Sequence, residues 1–262
     1  MNNLNVSLIQ QTIIEDQPKE NLLITYNKLL SLKGKTDIAI LPELFTTGFA
    51  LKNLALAETN HGATLNQIKD WASSLQMAIA GSFLATDGER YYNRAFFITP
   101  NKETFFYDKR HLFPLGREGK ILTTGHQLDT IITYKGWNIK LLVCYDLRFP
   151  VWSRNLDSAY DLLVYVSNWP TARNLAWETL LRARAIENQA YVIGVNRIGV
   201  DGNKVEHHGN SCIYDPQGSL SAVAQLNTEE ILNDTLYIDK VKGCRAKYPF
   251  WKDADAFTLT GL

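Results

Sequence analysis

Three side chains with reactive groups each stand at the end of a short, largely apolar run of the chain. They are Glu43, Lys109 and Cys144, and the run before each of them predicts a strand that ends there. Loops at strand ends often carry functional groups, because the rigid strands hold those groups in place. We therefore treat the three residues as candidates for one site.

Cys144 is the candidate nucleophile. Tyr145, Asp146 and a proline-limited segment follow it, a pattern that predicts an elbow projecting the sulfur and aiming a backbone N–H at the reacting centre. A thiol with its ordinary pKa of about 8.5 is mostly protonated at neutral pH, so it needs a base or a cation beside it. Glu43 can supply the base and Lys109 the positive charge.

Each candidate also has an ordinary structural explanation. A cysteine at the end of an apolar strand is more often a small buried hydrophobe than a nucleophile. Taken alone, Glu43 and Lys109 would be solvated charges, and Glu118 would be ordinary loop polarity. The joint pattern of a thiol, a base and a cation at three strand ends favours chemistry.

Cofactor and metal chemistry are not expected. The histidines of the sequence suggest no obvious partner for Cys144, and neither Cys212 nor Cys244 has a neighbouring base, so we interpret both of these cysteines as structural. The pair His207-His208 lacks an acid or cysteine at metal-ligand spacing, which favours a polar loop. We therefore predict no metal and no cofactor.

The elements that must position these residues are mostly strands, with helices interspersed and frequent hairpins. The stretch 108–127 has charges and glycines but no period, which is typical of a functional loop. With no linker and no repeat, we predict one domain over residues 1–262, built on mixed sheets with covering helices. The predicted strands cover 4–10, 38–41, 77–84, 91–99, 103–107, 128–134, 137–143, 162–167, 191–195, 211–214, 220–224 and 235–238, and the predicted helices cover 16–32, 65–75, 151–155 and 175–188.

Composition narrows the class of protein. The 262 residues carry 27 basic and 27 acidic side chains without a basic stripe, so nucleic acid is not an expected partner. No apolar stretch approaches the ~20 residues that span a bilayer, and the N-terminus lacks the features of a signal peptide. Three cysteines do not make a disulfide framework. These features predict a protein of the reducing cytoplasm without a membrane partner.

The three segments, in this order and spacing, resemble the signature of the nitrilase superfamily of carbon–nitrogen hydrolases. The segments are Leu-Pro-Glu43, Tyr-Asp-Lys109-Arg-His-Leu-Phe and Val-Cys144-Tyr-Asp-Leu-Arg-Phe-Pro. Within the superfamily the chain is most similar to bacterial omega-amidases that hydrolyse 2-oxoglutaramate. The stretches that carry this similarity are Pro42-Glu-Leu-Phe-Thr-Thr-Gly-Phe49, Val151-Trp-Ser-Arg-Asn155, Ser167-Asn-Trp-Pro170 and Phe250-Trp-Lys-Asp-Ala-Asp255.

The resemblance implies a four-layer α-β-β-α sandwich of two mixed sheets, with subunits that pair as a homodimer. It also implies that Glu43 takes the proton of Cys144 as the sulfur attacks a small amide, which leaves a thioester and releases ammonia. Lys109 and the backbone N–H of Tyr145 would stabilise the oxyanion. Glu118 matches the family's second glutamate, which helps to position the substrate and Lys109.

A half-amide of a dicarboxylic acid also needs a cation for its far carboxylate. Arg173 is the first candidate because it closely follows a predicted strand, on a loop that would face the nucleophile. Arg148 competes, although its place in the turn favours a buried ion pair beneath the elbow. Phe45, Phe49 and Trp169 are candidates for the pocket wall, with core packing as the alternative.

Three other functions stay open from the sequence. Another reaction of the same superfamily, such as nitrile or N-carbamoyl hydrolysis, uses the same Glu–Lys–Cys set and differs in the shape of the pocket. A non-catalytic interaction protein on this fold would not need an intact set. A Cys–His peptidase would require a histidine beside Cys144.

Overall fold

Two six-stranded mixed sheets and a two-stranded ribbon contain the strands of the described part of the chain. The computed structural model describes residues 3–127 and 130–259. The strands are β1 (Asn3–Gln10), β2 (Ile38–Ile40), β3 (Ala78–Thr86), β4 (Tyr91–Ile98), β5 (Thr104–Asp108), β6 (Ile131–Tyr134), β7 (Trp137–Val143), β8 (Leu162–Ser167), β9 (Tyr191–Asn196), β10 (Ile198–Val200), β11 (Glu206–His208), β12 (Cys212–Tyr214), β13 (Leu220–Val223) and β14 (Glu230–Tyr237). The α-helices are α1 (Pro18–Ser31), α2 (Ala63–Leu75), α3 (Glu118–Ile121), α4 (Pro150–Ser153), α5 (Asn174–Asn188) and α6 (Ile238–Lys247).

Parallel strands occupy the interior of both sheets. The first sheet has the order β14-β1-β2-β3-β4-β5, in which β1, β2 and β3 are parallel. The second has the order β13-β12-β9-β8-β7-β6, in which β7, β8 and β9 are parallel. Because neighbouring parallel strands end at the same edge of a sheet, the turn that follows β7 lies beside the turn that follows β8.

Alternate side chains of the first sheet face two different layers, as the strand period requires. In β1, Val6 and Leu8 pack in a core that also contains Leu141 of the second sheet. Ile9 instead packs in a second core with Leu29 of α1, and residues of α2 join this core. The first sheet therefore packs against the second sheet on one face and is covered by helices on the other.

Helix α5 covers the second sheet at close range. A Cβ atom on Gly194 of β9 would lie 2.5 Å from Leu181 and 2.6 Å from Trp177, both of α5, so the close approach requires glycine there. The predicted four-layer α-β-β-α sandwich of two mixed sheets is thus confirmed. None of the helices within 3–127 and 130–259 is long and apolar enough to cross a bilayer.

Most predicted elements are present with shifted ends, but some segments differ from the prediction. The short helix α3 lies in the stretch 108–127, for which no regular element was predicted. Helix α6 was not predicted, because only three of its residues are buried and the rest are largely charged or polar. The ribbon β10–β11 was not predicted, and β14 begins five residues before the predicted strand 235–238. The predicted strand 128–134 is present as β6 from Ile131 to Tyr134. Thr130 comes before the strand, and residues 128 and 129 lie outside the described ranges.

Candidate active site

The turn after β7 carries Cys144 in a left-handed backbone conformation, with a φ of 44°. Non-glycine residues rarely adopt a positive φ, and strained turns of this kind can project a nucleophile from the end of a strand. Cys144–Arg148 then form a short 3-10 helix. The N–H of Tyr145 lies in its first turn, where backbone donors lack a partner inside the helix. The backbone therefore has the shape of the predicted elbow.

Asp146 fastens this elbow to the segment that carries Lys109. Its buried carboxylate accepts hydrogen bonds from the Val143 N–H at 3.1 Å and from the Tyr107 hydroxyl at 2.8 Å. It also accepts one from the His111 N–H at 3.0 Å and lies 2.8 Å from His111 Nδ1. Since Lys109 lies between Tyr107 and His111 in the chain, this clamp fixes the lysine relative to the elbow.

Exchange of Asp146 for asparagine is expected to lower the free energy of unfolding by about 1–3 kcal/mol. The shape is kept, but an NH2 group would face hydrogen-bond donors and leave buried groups unpaired. Urea unfolding followed by circular dichroism measures the change, with the exposed Asp255→Asn as control. Equal unfolding free energies for Asp146→Asn and the wild type would show that the clamp contributes nothing.

Glu43, Lys109 and Glu118 form a fully buried ion cluster. Lys109 Nζ lies 2.9 Å from Glu43 Oε1 and 2.9 Å from each carboxylate oxygen of Glu118. Burial opposes the charge of Lys109, yet the carboxylates of Glu118 and Glu43 outweigh it and raise the lysine pKa. Burial raises the pKa of Glu118 as well, with Lys109 opposing and Glu43 adding to the rise. Lys109 is therefore a permanent cation at neutral pH.

The Cys144 thiol is protonated when the site is at rest. Burial and the negative charge of Glu43 raise its pKa well above the ordinary value, and the charge of Lys109 only partly offsets this. A thiol in this state can act as a nucleophile only with a base close by. Glu43, whose charge acts on this thiol, is the candidate for such a base.

Two asparagines that the sequence did not single out hold Glu43 in place. Asn93 Nδ2 donates to Glu43 Oε1 at 2.7 Å and to Glu118 Oε1 at 3.1 Å. The backbone N–H of Asn168 donates to Glu43 Oε2 at 2.7 Å. Asn168 could have been found, because it directly follows β8, beside the strand that ends at Cys144. Asn93 gave no such signal, because a polar residue in the middle of a strand usually faces solvent.

Cys144 lines a cavity of about 500 Å³ whose charged wall is mainly cationic. The cations are Arg117, Lys120, Arg148 and Arg173, and the carboxylate among the described lining residues is Asp201. Positive charge concentrated in a cleft attracts anionic ligands. The cavity therefore suits a small anionic ligand.

Both predicted arginines reach this cavity, each stacked on an aromatic ring. The Arg148 guanidinium carbon lies 4.9 Å from the ring centre of Trp169, and that of Arg173 lies 4.8 Å from the ring centre of Phe113. Burial lowers the pKa of Arg173, although the group stays charged at neutral pH. The expected ion pair of Arg148 beneath the elbow is wrong within the described ranges, because Tyr107 and His111 occupy the carboxylate of Asp146 there.

Of the three aromatic candidates for the pocket wall, two line the cavity and one packs in the hydrophobic core. Trp169 lines the cavity, and so does Phe49, whose ring centre is 5.4 Å from Lys109 Nζ. The prediction that Phe45 lines the pocket is wrong. Its side chain is fully buried and packs against Phe96 in the core between the first sheet and its helices.

His207 also lines the cavity, although the sequence suggested only a polar loop for it. Burial and the charge of Arg197 lower its pKa to about 4, so the ring is neutral at pH 7. Its Nδ1 lies 3.1 Å from the Val205 carbonyl oxygen, and within 3–127 and 130–259 no hydrogen bond joins it to Cys144. The same ranges contain no group of three acidic, histidine or cysteine side chains arranged for a metal.

Relatives of the chain are carbon–nitrogen hydrolases. The sequence pattern of the family described as carbon-nitrogen hydrolase matches residues 5–246. The omega-amidase YafV of Escherichia coli (strain K12) is 40% identical over 259 residues, which are 99% of this chain and 100% of the relative. A 2-oxoglutaramate amidase of Bacillus subtilis (strain 168) is 33% identical over 221 residues, covering 83% of this chain and 85% of the relative.

Solved structures agree with these matches. The crystal structure of XC1258 from Xanthomonas campestris, a CN-hydrolase superfamily protein with an arsenic adduct in the active site, has a TM-score of 0.95 and 38% identity. The match covers 99% of this chain and 100% of the XC1258 chain. Nit3 of Saccharomyces cerevisiae, a nitrilase superfamily member, covers 95% of each chain with a TM-score of 0.85 and 22% identity, which shows a common fold.

Proposed function

The chain belongs to the carbon–nitrogen hydrolase family, and we propose that within this family it is an omega-amidase. Its substrate would be a small dicarboxylate half-amide such as 2-oxoglutaramate, which it cleaves to the acid and ammonia. One observation carries the proposal: Cys144 lines a cavity whose wall holds two stacked arginines, and the charges of the buried pair Glu43 and Lys109 act on its thiol. The omega-amidase and 2-oxoglutaramate amidase relatives support the same substrate class.

In the first half of the reaction Cys144 attacks the amide carbon. The S–H proton passes to Glu43 as the sulfur–carbon bond forms, because the resting thiol is not ionised. Glu43 then gives a proton to the amide nitrogen, the carbon–nitrogen bond breaks, and ammonia leaves. The acyl group stays on the sulfur as a thioester.

Lys109 and the backbone N–H of Tyr145 stabilise the negative oxygen that forms during this attack. The raised pKa of Lys109 means that it acts as a fixed positive charge and does not give up its proton. Glu118 holds Lys109 Nζ with both carboxylate oxygens and so keeps the cation aimed at the reacting centre. Removing one such oxyanion donor typically costs on the order of 10²–10³ in rate.

The second half of the reaction returns the enzyme to its starting state. Water takes the place of ammonia, and Glu43 removes its proton as the water oxygen bonds to the thioester carbon. The carbon–sulfur bond then breaks, the proton returns to Cys144, and the acid leaves.

Arg173 is proposed to bind the far carboxylate of the half-amide. Arg173→Ala is expected to raise KM for 2-oxoglutaramate by about 10–100-fold, because the desolvated carboxylate loses its charged hydrogen-bond partner. The KM for butyramide, which has no carboxylate, should change little. Steady-state ammonia release from both substrates measures the effect, and Arg148→Ala is the matched variant. Equal losses on both substrates would make Arg173 a scaffold residue and leave Arg148 as the candidate.

Ammonia release from a panel of compounds tests the proposed substrate class. The panel contains 2-oxoglutaramate, 2-oxosuccinamate, glutamine, asparagine, butyramide, a nitrile and an N-carbamoyl amino acid. The 2-oxo half-amides are expected to give the highest kcat/KM. A preference for the nitrile or the N-carbamoyl compound would assign another reaction of the family, and a preference for butyramide would exclude the omega-amidase. Absence of hydrolysis throughout would leave a non-catalytic role.

We also propose that two copies of the chain pair as a homodimer. Helix α5 and strand β13 expose apolar side chains, including Leu175 at 79% and Ile186 at 51%, that pairing would remove from water. Light scattering after size exclusion is expected to give twice the mass of the chain. A monomer at micromolar concentration would contradict this.

A further inference from the structure

We propose that the side-chain oxygen of Asn168 determines specificity by accepting a hydrogen bond from the NH2 group of the substrate amide. This inference rests on the proposed amidase function and concerns the reacting end of the substrate. Asn168 follows β8 and lines the same cavity as Cys144. Its backbone N–H reaches Glu43 Oε2 at 2.7 Å, so the residue lies beside both the nucleophile and the base.

The orientation of the Asn168 amide is fixed by what its nitrogen contacts. Nδ2 lies 2.7 Å from the backbone oxygen of Glu43 and 3.4 Å from Glu43 Oε2. Both of these atoms are acceptors, so the NH2 group must face Glu43. The side-chain oxygen therefore points away from Glu43 and cannot exchange places with the nitrogen.

That oxygen has no described hydrogen-bond partner. Asn168 is 96% buried, and its Oδ1 is shielded from solvent without a donor within residues 3–127 and 130–259. A buried acceptor left unpaired is unfavourable, and each such group in a native protein requires an explanation. A donor supplied by the substrate would complete the arrangement.

The chemistry of the amide supplies that donor. For ammonia to leave, the amide nitrogen must lie between the sulfur that attacks and Glu43, which delivers the proton. This is the region that Asn168 occupies. The amide nitrogen has two N–H bonds, of which Glu43 accepts one and Asn168 Oδ1 accepts the other. The carbonyl oxygen meets only donors, namely Lys109 and the Tyr145 N–H.

This division into donors and acceptors discriminates between functional groups. A primary amide presents one acceptor oxygen and two N–H donors, which match both sides of the site. A nitrile has no N–H, and the carboxylate product presents only acceptors to Glu43 and Asn168. The arrangement therefore favours amides over nitriles and disfavours retention of the acid.

A binding comparison in the inactive Cys144→Ala background tests the proposal. The two ligands are 2-oxoglutaramate and its methyl ketone analogue, in which CH3 replaces NH2 and the carbonyl is kept. Calorimetry is expected to show that adding Asn168→Ala weakens amide binding by about tenfold and changes ketone binding by less than about twofold. The matched control is Asn93→Ala, which also loosens Glu43 but does not line the cavity. It should alter the amide-to-ketone ratio much less.

Equal weakening of both ligands by Asn168→Ala would overturn the proposal and leave Asn168 as a support for Glu43. If that variant does not fold, the same ligands are compared on Cys144→Ala alone. There the proposal requires tighter binding of the amide by at least about tenfold, and equal affinities would overturn it. Ammonia release by the wild-type protein is measured separately, so failure of the proposed function is distinguished from failure of this inference.

Discussion

Replacement of Cys144 by alanine is expected to reduce ammonia release by on the order of 10⁶-fold, the size of loss that follows removal of a catalytic nucleophile. The fold should persist, because the elbow is held by Asp146 and its partners and not by the sulfur. A small-molecule alkylating agent should modify Cys144 before the other cysteines, since Cys144 lines the cavity. Steady-state rates and peptide mass spectrometry measure the two effects.

The two other cysteines provide the controls. Cys212 and Cys244 are buried and lie outside the cavity, and burial raises the pKa of each thiol. Cys212→Ala and Cys244→Ala should keep most of the activity. If Cys144→Ala hydrolyses the amide at the wild-type rate, the thioester mechanism is wrong.

Lys109→Met is expected to damage both stability and activity. It leaves Glu43 and Glu118 buried side by side without a countercharge, and breaking a buried ion pair in this way costs about 3–5 kcal/mol of unfolding free energy. It also removes the proposed oxyanion donor, so kcat should fall on the order of 10²–10³-fold at a temperature where the variant is still folded. Urea unfolding and ammonia release are measured on the same preparation.

A second substitution separates the two effects of Lys109→Met. Adding Glu118→Gln removes one of the two uncompensated charges, so the double variant should regain part of the lost stability without regaining activity. Recovery of both would show that the lysine acts only through folding. Wild-type turnover by folded Lys109→Met would remove it from the mechanism.

Most strands were predictable from their apolar runs, whereas the order of the four layers was implied by the resemblance to carbon–nitrogen hydrolases. β2, β7 and β8 are almost entirely apolar runs, as strands buried on both faces are. Glu43 and Cys144 follow such runs, and Lys109 follows the half-buried edge strand β5, so their types and places were readable before the structure. Helix α6 and the start of β14 were not, because few of their side chains are buried and the apolar period is weak.

The parts of the site that the sequence missed depend on three-dimensional pairing. Asn93 lies in β4, which pairs with β3 in the first sheet. Only this pairing brings its side chain to the carboxylates of Glu43 and Glu118. Phe45 and Phe49 lie four residues apart in one segment, and only the fold decides that one enters the core and the other the cavity. Arg148 could be placed only once the partners of Asp146 were known.

Trapping the acyl-enzyme is the most direct measurement of the central claim that Cys144 opens an amide through a thioester. Wild-type protein is mixed with excess 2-oxoglutaramate, quenched in acid during turnover and digested for peptide mass spectrometry. The peptide that contains Cys144 is expected to carry the acyl group left after loss of ammonia, and alkaline hydroxylamine should remove it. Ammonia release without an adduct on Cys144, or with an adduct on Cys212 or Cys244, would contradict the account.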